Sequence, residues 1–153
     1  MSEKYTLLVE DNPDDVTLTE IAFRKARIST QLVVVNDGRE ALDFLFQRGK
    51  YAAGSFKEKP AVILLDLKLP FVSGLEVLRE IRIHETTKQI PVVVMTSSQE
   101  EEDQNASFRL GADDFIRKPT GFFQFIEIVH DINAKWLDSN RAGCPQVVVD
   151  NSG

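Results

Sequence analysis

The stretch Ala61–Pro70 constrains the fold more than any other part of the chain. Its apolar residues Ala61–Leu65 run without interruption into one carboxylate, Asp66, and prolines stand at both ends, Pro60 and Pro70. A short apolar run between such breakers is typical of a β-strand that is buried on both faces. Strands of this kind belong to parallel sheets covered by helices. Because a lone carboxylate is costly inside a core, Asp66 is expected at the strand's carboxyl end, where open α/β sheets bind ligands.

Apolar runs and helical stripes alternate along the rest of the chain. The apolar runs predict further strands at Tyr5–Val9, Leu32–Val35 and Pro91–Met95. Asp113–Arg117 is predicted to be a short fifth strand whose charges suit an edge position. The stripes predict helices at Val16–Ile28, at Arg39–Gln47, from Leu75, between the acidic run Glu100–Asp103 and Gly111, and at Thr120–Asp138. Residues 48–60 are predicted to be a loop. Five βα units predict a doubly wound parallel sheet in one α/β domain, residues 1–139, followed by a tail, residues 140–153. The pattern alone leaves the strand order open.

Composition and charge narrow the classes of function. The chain has 153 residues, enough for one domain with a real core. Its net charge of −6 and pI near 5.0 argue against general binding to nucleic acid or to anionic membranes. Cys144 is the only cysteine in the sequence, which excludes an internal disulfide and a cysteine metal cluster. Since no apolar run could span a membrane and no signal peptide is recognisable, we expect a cytoplasmic location.

Four of the five predicted strands end in polar side chains. Glu10 and Asp11 follow the first strand, Asp66 the third, Thr96 the fourth and Lys118 the fifth. All carboxyl ends of a parallel sheet lie on one edge, so these side chains should lie close together. Clustered carboxylates repel one another unless a cation lies among them, and Mg²⁺ prefers oxygen ligands. A hydroxyl and an ammonium suit phosphoryl oxygens. The pattern therefore predicts metal-assisted phosphoryl transfer to a carboxylate.

Each of these residues also has an ordinary structural interpretation. Glu10 and Asp11 could belong to a helix-capping turn, and Asp66 could only end a strand. Thr96 could be a strand-end hydroxyl and Lys118 a solvated edge residue. These interpretations explain poorly why all of them fall at the same edge of one sheet.

Several short motifs resemble those of the response-regulator receiver domain, the CheY-like family. They are Val9–Asn12, Leu64–Pro70, Gly74–Glu76, Pro91–Thr96, Gly111-Ala112 and Lys118-Pro119. The resemblance covers about residues 4–138. It implies a flavodoxin-like fold with strand order 2-1-3-4-5 and a role in two-component phosphorelay signalling.

The resemblance also implies roles for the acidic residues. Asp66 would be the phosphoacceptor. Glu10 and Asp11 would bind Mg²⁺ together with Asp66 and the backbone carbonyl of Lys68. Lys68 and Ser98 would flank the path of the water that hydrolyses the acyl phosphate and so help to set its lifetime.

Three further residues would respond to phosphorylation in such a domain. Lys118 would pair with the phosphoryl group, and Thr96 would move to donate a hydrogen bond to it. Phe115 would be the aromatic switch residue, turning inward as Thr96 moves. Since phenylalanine lacks the hydroxyl of the tyrosine that is also common there, packing alone would report the switch. The Lys118-Pro119 peptide bond would be cis.

A narrower resemblance concerns the partner. Residues 48–60 and the ending Asn133–Leu137 resemble the regulators that partner cyanobacterial phytochrome histidine kinases. This implies a phytochrome-type sensor histidine kinase as phosphoryl donor. Since no DNA-binding or enzymatic output domain is expected after residue 138, the output would be an interaction with another protein, without nucleic acid or membrane.

The last predicted helix carries a core stripe and one apolar residue outside it. The stripe at helical spacing comprises Phe122, Phe125, Ile126, Val129, Ile132 and Trp136. Phe123 falls on the opposite face, and Leu137 falls at the margin. Either Phe123 is one of the scattered apolar residues found on any surface, or it marks a homodimer contact on the face bearing the fourth helix, fifth strand and last helix. Val147–Val149 in the tail could add to that contact.

Two other functions compete with a signalling domain. A Mg²⁺-dependent phosphatase of the haloacid-dehalogenase type also uses a strand-end aspartate as nucleophile. That class needs a second aspartate two positions on, where this chain has Lys68, and a cap domain for which 153 residues leave little room. A nucleotide-binding domain is disfavoured because no glycine-rich phosphate loop follows the first strand. We therefore expect a phosphoacceptor rather than an enzyme that turns over a substrate.

Overall fold

Five strands pair in parallel to form one sheet in this computed structural model, which describes residues 4–53 and 58–137. They are β1 (Tyr5–Val9), β2 (Gln31–Val35), β3 (Val62–Leu65), β4 (Val92–Thr96) and β5 (Asp114–Arg117). The order across the sheet is β2-β1-β3-β4-β5, as the resemblance implied. All four residues of β3 are buried, and β3 pairs with β1 on one side and with β4 on the other. The strand predicted from the apolar run Ala61–Leu65 is therefore the central strand of the sheet.

Five helices cover the two faces of this sheet, which confirms the doubly wound α/β fold. They are α1 (Pro13–Lys25), α2 (Gly38–Leu45), α3 (Gly74–Ile83), α4 (Glu101–Arg109) and α5 (Phe122–Ile132). One buried apolar cluster joins the sheet to α2 and α3, and a second joins it to α1 and α5. In the described ranges, none of the helices has the length and apolar character needed to cross a lipid bilayer.

Helix α1 begins three residues before the first apolar position on which the sequence prediction relied. The side chain of Asn12 accepts hydrogen bonds from the backbone N–H groups of Asp14, at 2.9 Å, and Asp15, at 3.4 Å. Pro13 occupies the first turn, where its missing N–H costs nothing. The cap, rather than the apolar stripe, decides where the helix starts, and this brings the first turn of α1 up to the end of β1.

The end of the last helix differs from the prediction. The α-helix stops at Ile132, and a single π-helical turn, Asn133–Leu137, follows. A π turn contains one more residue than an α turn, so the apolar stripe shifts by one position. Leu137 is therefore buried, at 3% exposure, whereas Trp136 is only half-buried. The predicted marginal position of Leu137 was wrong, whereas Trp136 packs against the core as predicted. The predicted tail, residues 140–153, lies outside the described residues.

Gly74 fixes the junction between β3 and α3. A Cβ atom at this position would lie 2.2 Å from the carbonyl oxygen of Asp66, which no side chain could tolerate. The N–H of Gly74 donates to the carbonyl oxygen of Leu67 at 2.8 Å. The close approach holds the turn after Asp66 against the first turn of α3.

Candidate functional site

Three carboxylates converge at the carboxyl edge of the sheet, as the sequence predicted. Glu10, Asp11 and Asp66 each place one carboxylate oxygen within 4.8 Å of the others. Two of them are held by sheet-like hydrogen bonds that continue beyond the strands: the N–H of Glu10 donates to Val35 and that of Asp66 donates to Val9. Glu10 and Asp66 are buried, at 3% and 7% exposure, while Asp11 is exposed.

Lys118 reaches into this cluster from the end of β5. Its backbone N–H donates to the carbonyl of Thr96 at 2.8 Å, which extends the pairing of β4 and β5. Its ammonium lies 2.8 Å from Glu10 Oε1, 2.7 Å from Asp15 Oδ2 and 3.0 Å from Asp66 Oδ2. An ammonium has three protons, so each can be donated to a different carboxylate.

Asp15 was not predicted as a site residue. It lies in the first turn of α1, which begins directly after the β1 carboxylates. Acidic residues in a first helical turn are common because they complement the helix dipole, and this ordinary role hides the contact with Lys118. The sequence signal that could have found Asp15 is its position four residues after Asp11, in the first turn of a helix capped by Asn12.

Burial and charge shift the pKa values of two of these groups. Burial raises the pKa of Glu10 to about 7; the hydrogen bond from Lys118 opposes this rise and the Asp66 charge adds to it. Burial alone would lower the pKa of Lys118, but hydrogen bonds to Asp15 and Glu10 and the charge of Asp66 raise it well above its usual range. Lys118 therefore stays an ammonium, and one positive charge faces several carboxylates.

The donor set fits a hard divalent cation. All three clustered groups offer carboxylate oxygens, which Mg²⁺ and Mn²⁺ accept as ligands. The backbone N–H of Lys68 donates to Asp66 Oδ1 at 3.2 Å, and the N–H of Asn12 donates to Glu10 Oε2 at 3.2 Å. These bonds orient the two buried carboxylates. Lys68 thus lies in the turn directly after Asp66, and its side chain is exposed. Metal binding by its carbonyl stays a prediction.

Thr96 and Ser98 follow one another at the end of β4. Thr96 is fully buried, and its hydroxyl accepts a hydrogen bond from the N–H of Ser98 at 3.3 Å. The hydroxyl of Ser98 donates to Asp103 at 2.5 Å and accepts from the N–H of Glu100 at 3.2 Å. Ser98 therefore orders the turn that leads into α4, where Glu100 makes no side-chain cap. Its predicted place beside the path of the attacking water stays a prediction.

Phe115 already lies inward. It is 9% exposed and belongs to the apolar cluster beneath α2 and α3. Its ring centroid lies 6.5 Å from that of Phe108 on α4. Without a hydroxyl to hydrate, this side chain has nothing to gain by pointing into water, so its burial does not need a phosphoryl group.

No cis peptide bond occurs among the described residues, so the Lys118-Pro119 peptide bond is trans. The prediction of a cis bond was wrong in this structure. The two isomers of a bond before proline differ little in free energy. Both contacts that position Lys118, through its backbone N–H and its ammonium, are made by the residue before that bond.

The comparison with known families decides among the predicted functions. A model of the response regulator receiver domain matches residues 6–130. The chain belongs to this family. The match supports a phosphoacceptor domain over the phosphatase alternative, and receiver domains are typically not enzymes themselves.

Known relatives of this receiver domain include cyanobacterial regulators. It is 37% identical over 136 residues to the response regulator Rcp1 of Synechocystis, covering 89% of this chain and 90% of Rcp1. The Mn²⁺-bound structure of Rcp1 superposes with a TM-score of 0.80 over 89% of this chain and 96% of that one. The phosphorylated cyanobacterial phytochrome response regulator RcpA is 39% identical, with a TM-score of 0.82 over 90% and 96%. The narrower resemblance to phytochrome response regulators is thereby confirmed.

A more distant neighbour bears on the metal. The receiver domain of the sensor histidine kinase PA1611 from Pseudomonas aeruginosa was solved with a magnesium ion in its active-site cleft. It is 25% identical to this receiver domain, with a TM-score of 0.65 over 85% of this chain and 97% of that one. Receiver domains thus bind divalent metals at an acidic pocket, and the cluster of Glu10, Asp11 and Asp66 forms such a pocket.

Proposed function

We propose that this receiver domain accepts a phosphoryl group on Asp66 from a phytochrome-type sensor histidine kinase in the cytoplasm. One observation carries the proposal: the buried Asp66 carboxylate clusters with those of Glu10 and Asp11 and lies 3.0 Å from the Lys118 ammonium. A carboxylate that adjoins both a cation-binding pocket and an ammonium is suited to attack an anionic phosphoryl donor. The similarity to RcpA and Rcp1 supports the choice of kinase.

The chemistry follows from this arrangement. An oxygen of Asp66 attacks the phosphorus of a phosphohistidine; the new oxygen–phosphorus bond forms as the phosphorus–nitrogen bond breaks, and the imidazole leaves. Lys118 donates hydrogen bonds to the phosphoryl oxygens. Mg²⁺, held by Glu10, Asp11, Asp66 and the Lys68 carbonyl, would supply positive charge that offsets the negative charge of the transferred phosphoryl group. Hydrolysis of the acyl phosphate returns the domain to its starting state. The domain therefore hydrolyses only the phosphoryl group on its own Asp66 and turns over no separate substrate.

The output is proposed to be protein–protein interaction, including a homodimer. Thr96 lies fully buried beside Lys118, where movement of its hydroxyl toward the phosphoryl group would break its bond with the Ser98 N–H. Two phenylalanines are exposed on the last two helices: Phe123 on α5 at 83% and Phe108 on α4 at 46%. Phe108 also contacts Phe115. A shift of α4 would therefore change an apolar surface that a second copy could cover. Phosphorylation would act by raising the population of the conformation with the changed surface.

The experiment that tests this function compares wild type with Asp66→Asn. With Mg²⁺ present, acetyl phosphate or a phytochrome-type histidine kinase is expected to load one phosphoryl group on wild type and none on the variant. The variant keeps the shape of the side chain but loses the anionic nucleophile. Phosphate-affinity gels and intact mass report the loading.

Two controls accompany this measurement. Asp14→Asn, an exposed position in the first turn of α1, makes the same charge change away from the acceptor and should load normally. EDTA should abolish loading of every protein. Retention of the phosphoryl group by Asp66→Asn would move the acceptor to another residue, and a faster reaction with an unrelated kinase would reject the phytochrome-type partner.

A further inference from the structure

The Asp15 carboxylate makes the shortest of the three contacts to the Lys118 ammonium, at 2.7 Å. Its side chain is 31% exposed and that of Lys118 is 17% exposed, so the pair lies at the edge of the buried site. The other two contacts go to Glu10 and Asp66. No family role predicted from the sequence includes Asp15.

The backbone of Asp15 is fixed on both sides. Its N–H donates to the side chain of Asn12 at 3.4 Å. Its carbonyl accepts a hydrogen bond from the hydroxyl of Thr19 at 2.8 Å, and Thr19 is buried. The capped first turn of α1 therefore presents this carboxylate to Lys118 from a rigid element. Forming the ion pair then costs less side-chain entropy than it would between two flexible surface side chains.

Asp15 differs from the other two partners in what happens to it during phosphorylation. Glu10 and Asp66 belong to the carboxylate cluster that fits a divalent cation, and Asp15 does not. Asp66 also becomes an acyl phosphate, which removes its own negative charge from the carboxyl oxygens. A cation and a phosphoryl group thus weaken two of the ammonium's three contacts. Neither change alters the Asp15 carboxylate itself, because Asp15 is neither the phosphoacceptor nor a member of the cluster.

We propose that Asp15 is a positioning residue that holds the Lys118 ammonium beside Asp66 throughout the phosphorylation cycle. The inference rests on the proposed function. With the ammonium held from α1, its remaining protons already point toward the acceptor when the phosphoryl oxygens arrive, and no reorientation of a long side chain is needed. Without Asp15, Lys118 is free to follow whichever negative charge is nearest.

The first test measures the rate of phosphorylation by acetyl phosphate at saturating Mg²⁺. Asp15→Asn is expected to slow this rate roughly tenfold, the loss expected for one charge-assisted hydrogen bond. Asp14→Asn removes the same charge from the same helical turn and should leave the rate close to wild type. Asp15→Glu, which restores the carboxylate, should recover most of the lost rate.

The second test observes the Lys118 ammonium directly by nitrogen-15 NMR. Wild type and Asp14→Asn should show a slowly exchanging ammonium signal both before and after phosphorylation. In Asp15→Asn this signal should broaden or disappear, most of all in the phosphorylated state. A change in overall stability alone would not produce this difference between the two variants.

The outcomes separate the inference from the proposed function. If wild type gains no phosphoryl group on Asp66, the proposed function fails, and the inference fails with it. If wild type is phosphorylated but Asp15→Asn reacts as fast as Asp14→Asn or faster, only the positioning role is overturned. An unchanged ammonium signal in phosphorylated Asp15→Asn overturns it as well.

Discussion

At the scale of single residues, Glu10 is a carboxyl group that the fold keeps from water. Burial raises its pKa from 4.5 to about 7; the hydrogen bond from Lys118 opposes the shift and Asp66 adds to it. Between these two pH values the folded protein binds a proton that the unfolded chain has released. Stability without metal is therefore fully present below about pH 4.5 and falls as the pH rises through about 7. A cation bound to the ionised carboxylates offsets this loss.

Glu10→Gln is expected to flatten this pH dependence. In EDTA, the melting temperature of wild type should fall between pH 5 and pH 8 relative to that of the variant, because glutamine has no proton to lose. Circular dichroism melts across this range measure it. Asp11→Asn, at an exposed position, is the control and should follow wild type. Mg²⁺ should raise the wild-type melting temperature more at pH 8 than at pH 5. Parallel curves for wild type and Glu10→Gln would contradict the expectation.

At the scale of elements, one side chain joins the end of α3 to the loops before β4 and β5. The guanidinium of Arg82 donates to three backbone carbonyls and one carboxylate. Its acceptors are Gly111 at 2.9 Å, Lys88 at 3.0 Å, Ile90 at 2.7 Å and Asp113 Oδ2 at 2.8 Å. Asp113 Oδ2 also accepts from the N–H of Val92 at 2.8 Å. Arg82 thus connects the starts of β4, which ends at Thr96, and of β5, which is followed by Lys118.

Arg82→Met is expected to reduce the free energy of unfolding by about 2 kcal/mol, because four acceptors lose this donor and one of them, the carbonyl of Ile90, is partly buried. Arg79→Met on the same helix is the matched control. Arg79 pairs with Glu76 and Glu80 while its own side chain is 53% exposed, so its loss should cost about 0–1 kcal/mol. Urea denaturation at one pH measures both. Equal losses for the two variants would show that the Arg82 contacts contribute no more than a surface ion pair.

At the scale of the whole molecule, the proposed homodimer depends on the face formed by α4, β5 and α5. Phe123 is 83% exposed there, and covering a side chain of this size contributes roughly 1.5–3 kcal/mol. β5 lies at the edge of the sheet, next to these helices. On the same face, the side chains of Lys135 and Asp114 lie 3.7 Å apart and form an ion pair between the turn after α5 and the start of β5.

Phe123→Asp is expected to give monomers whether or not Asp66 is phosphorylated, whereas wild type should dimerise more strongly when phosphorylated. Sedimentation velocity over a range of concentrations measures both. Ile83→Asp changes another exposed apolar residue, 59% exposed at the end of α3, and should leave the dimer intact. A dimer that survives in Phe123→Asp would place the interface elsewhere. A wild type that stays monomeric in both states would reject the homodimer.

The sequence by itself determined the strands, the helices and the polar residues at the strand ends, because these follow from local rules. Apolar runs, breakers and caps act within a few residues of one another, and parallel strands bring their carboxyl ends to one edge. Glu10, Asp11, Asp66 and Lys118 could therefore be grouped into one site from their positions in the chain. The strand order did not follow from the pattern and came from the family resemblance.

The tertiary structure alone decided the contacts between residues far apart in the chain. Asp15 and Lys118 are 103 positions apart, and only the packing of α1 beside the end of β5 brings them together. The raised pKa of Glu10 depends on burial by the assembled sheet and helices. The burial of Leu137 depends on a π turn at the end of α5 that no local signal marked. Such contacts arise from how helices and strands pack together. The spacing of apolar residues along one helix or strand carries no information about which residues lie opposite it.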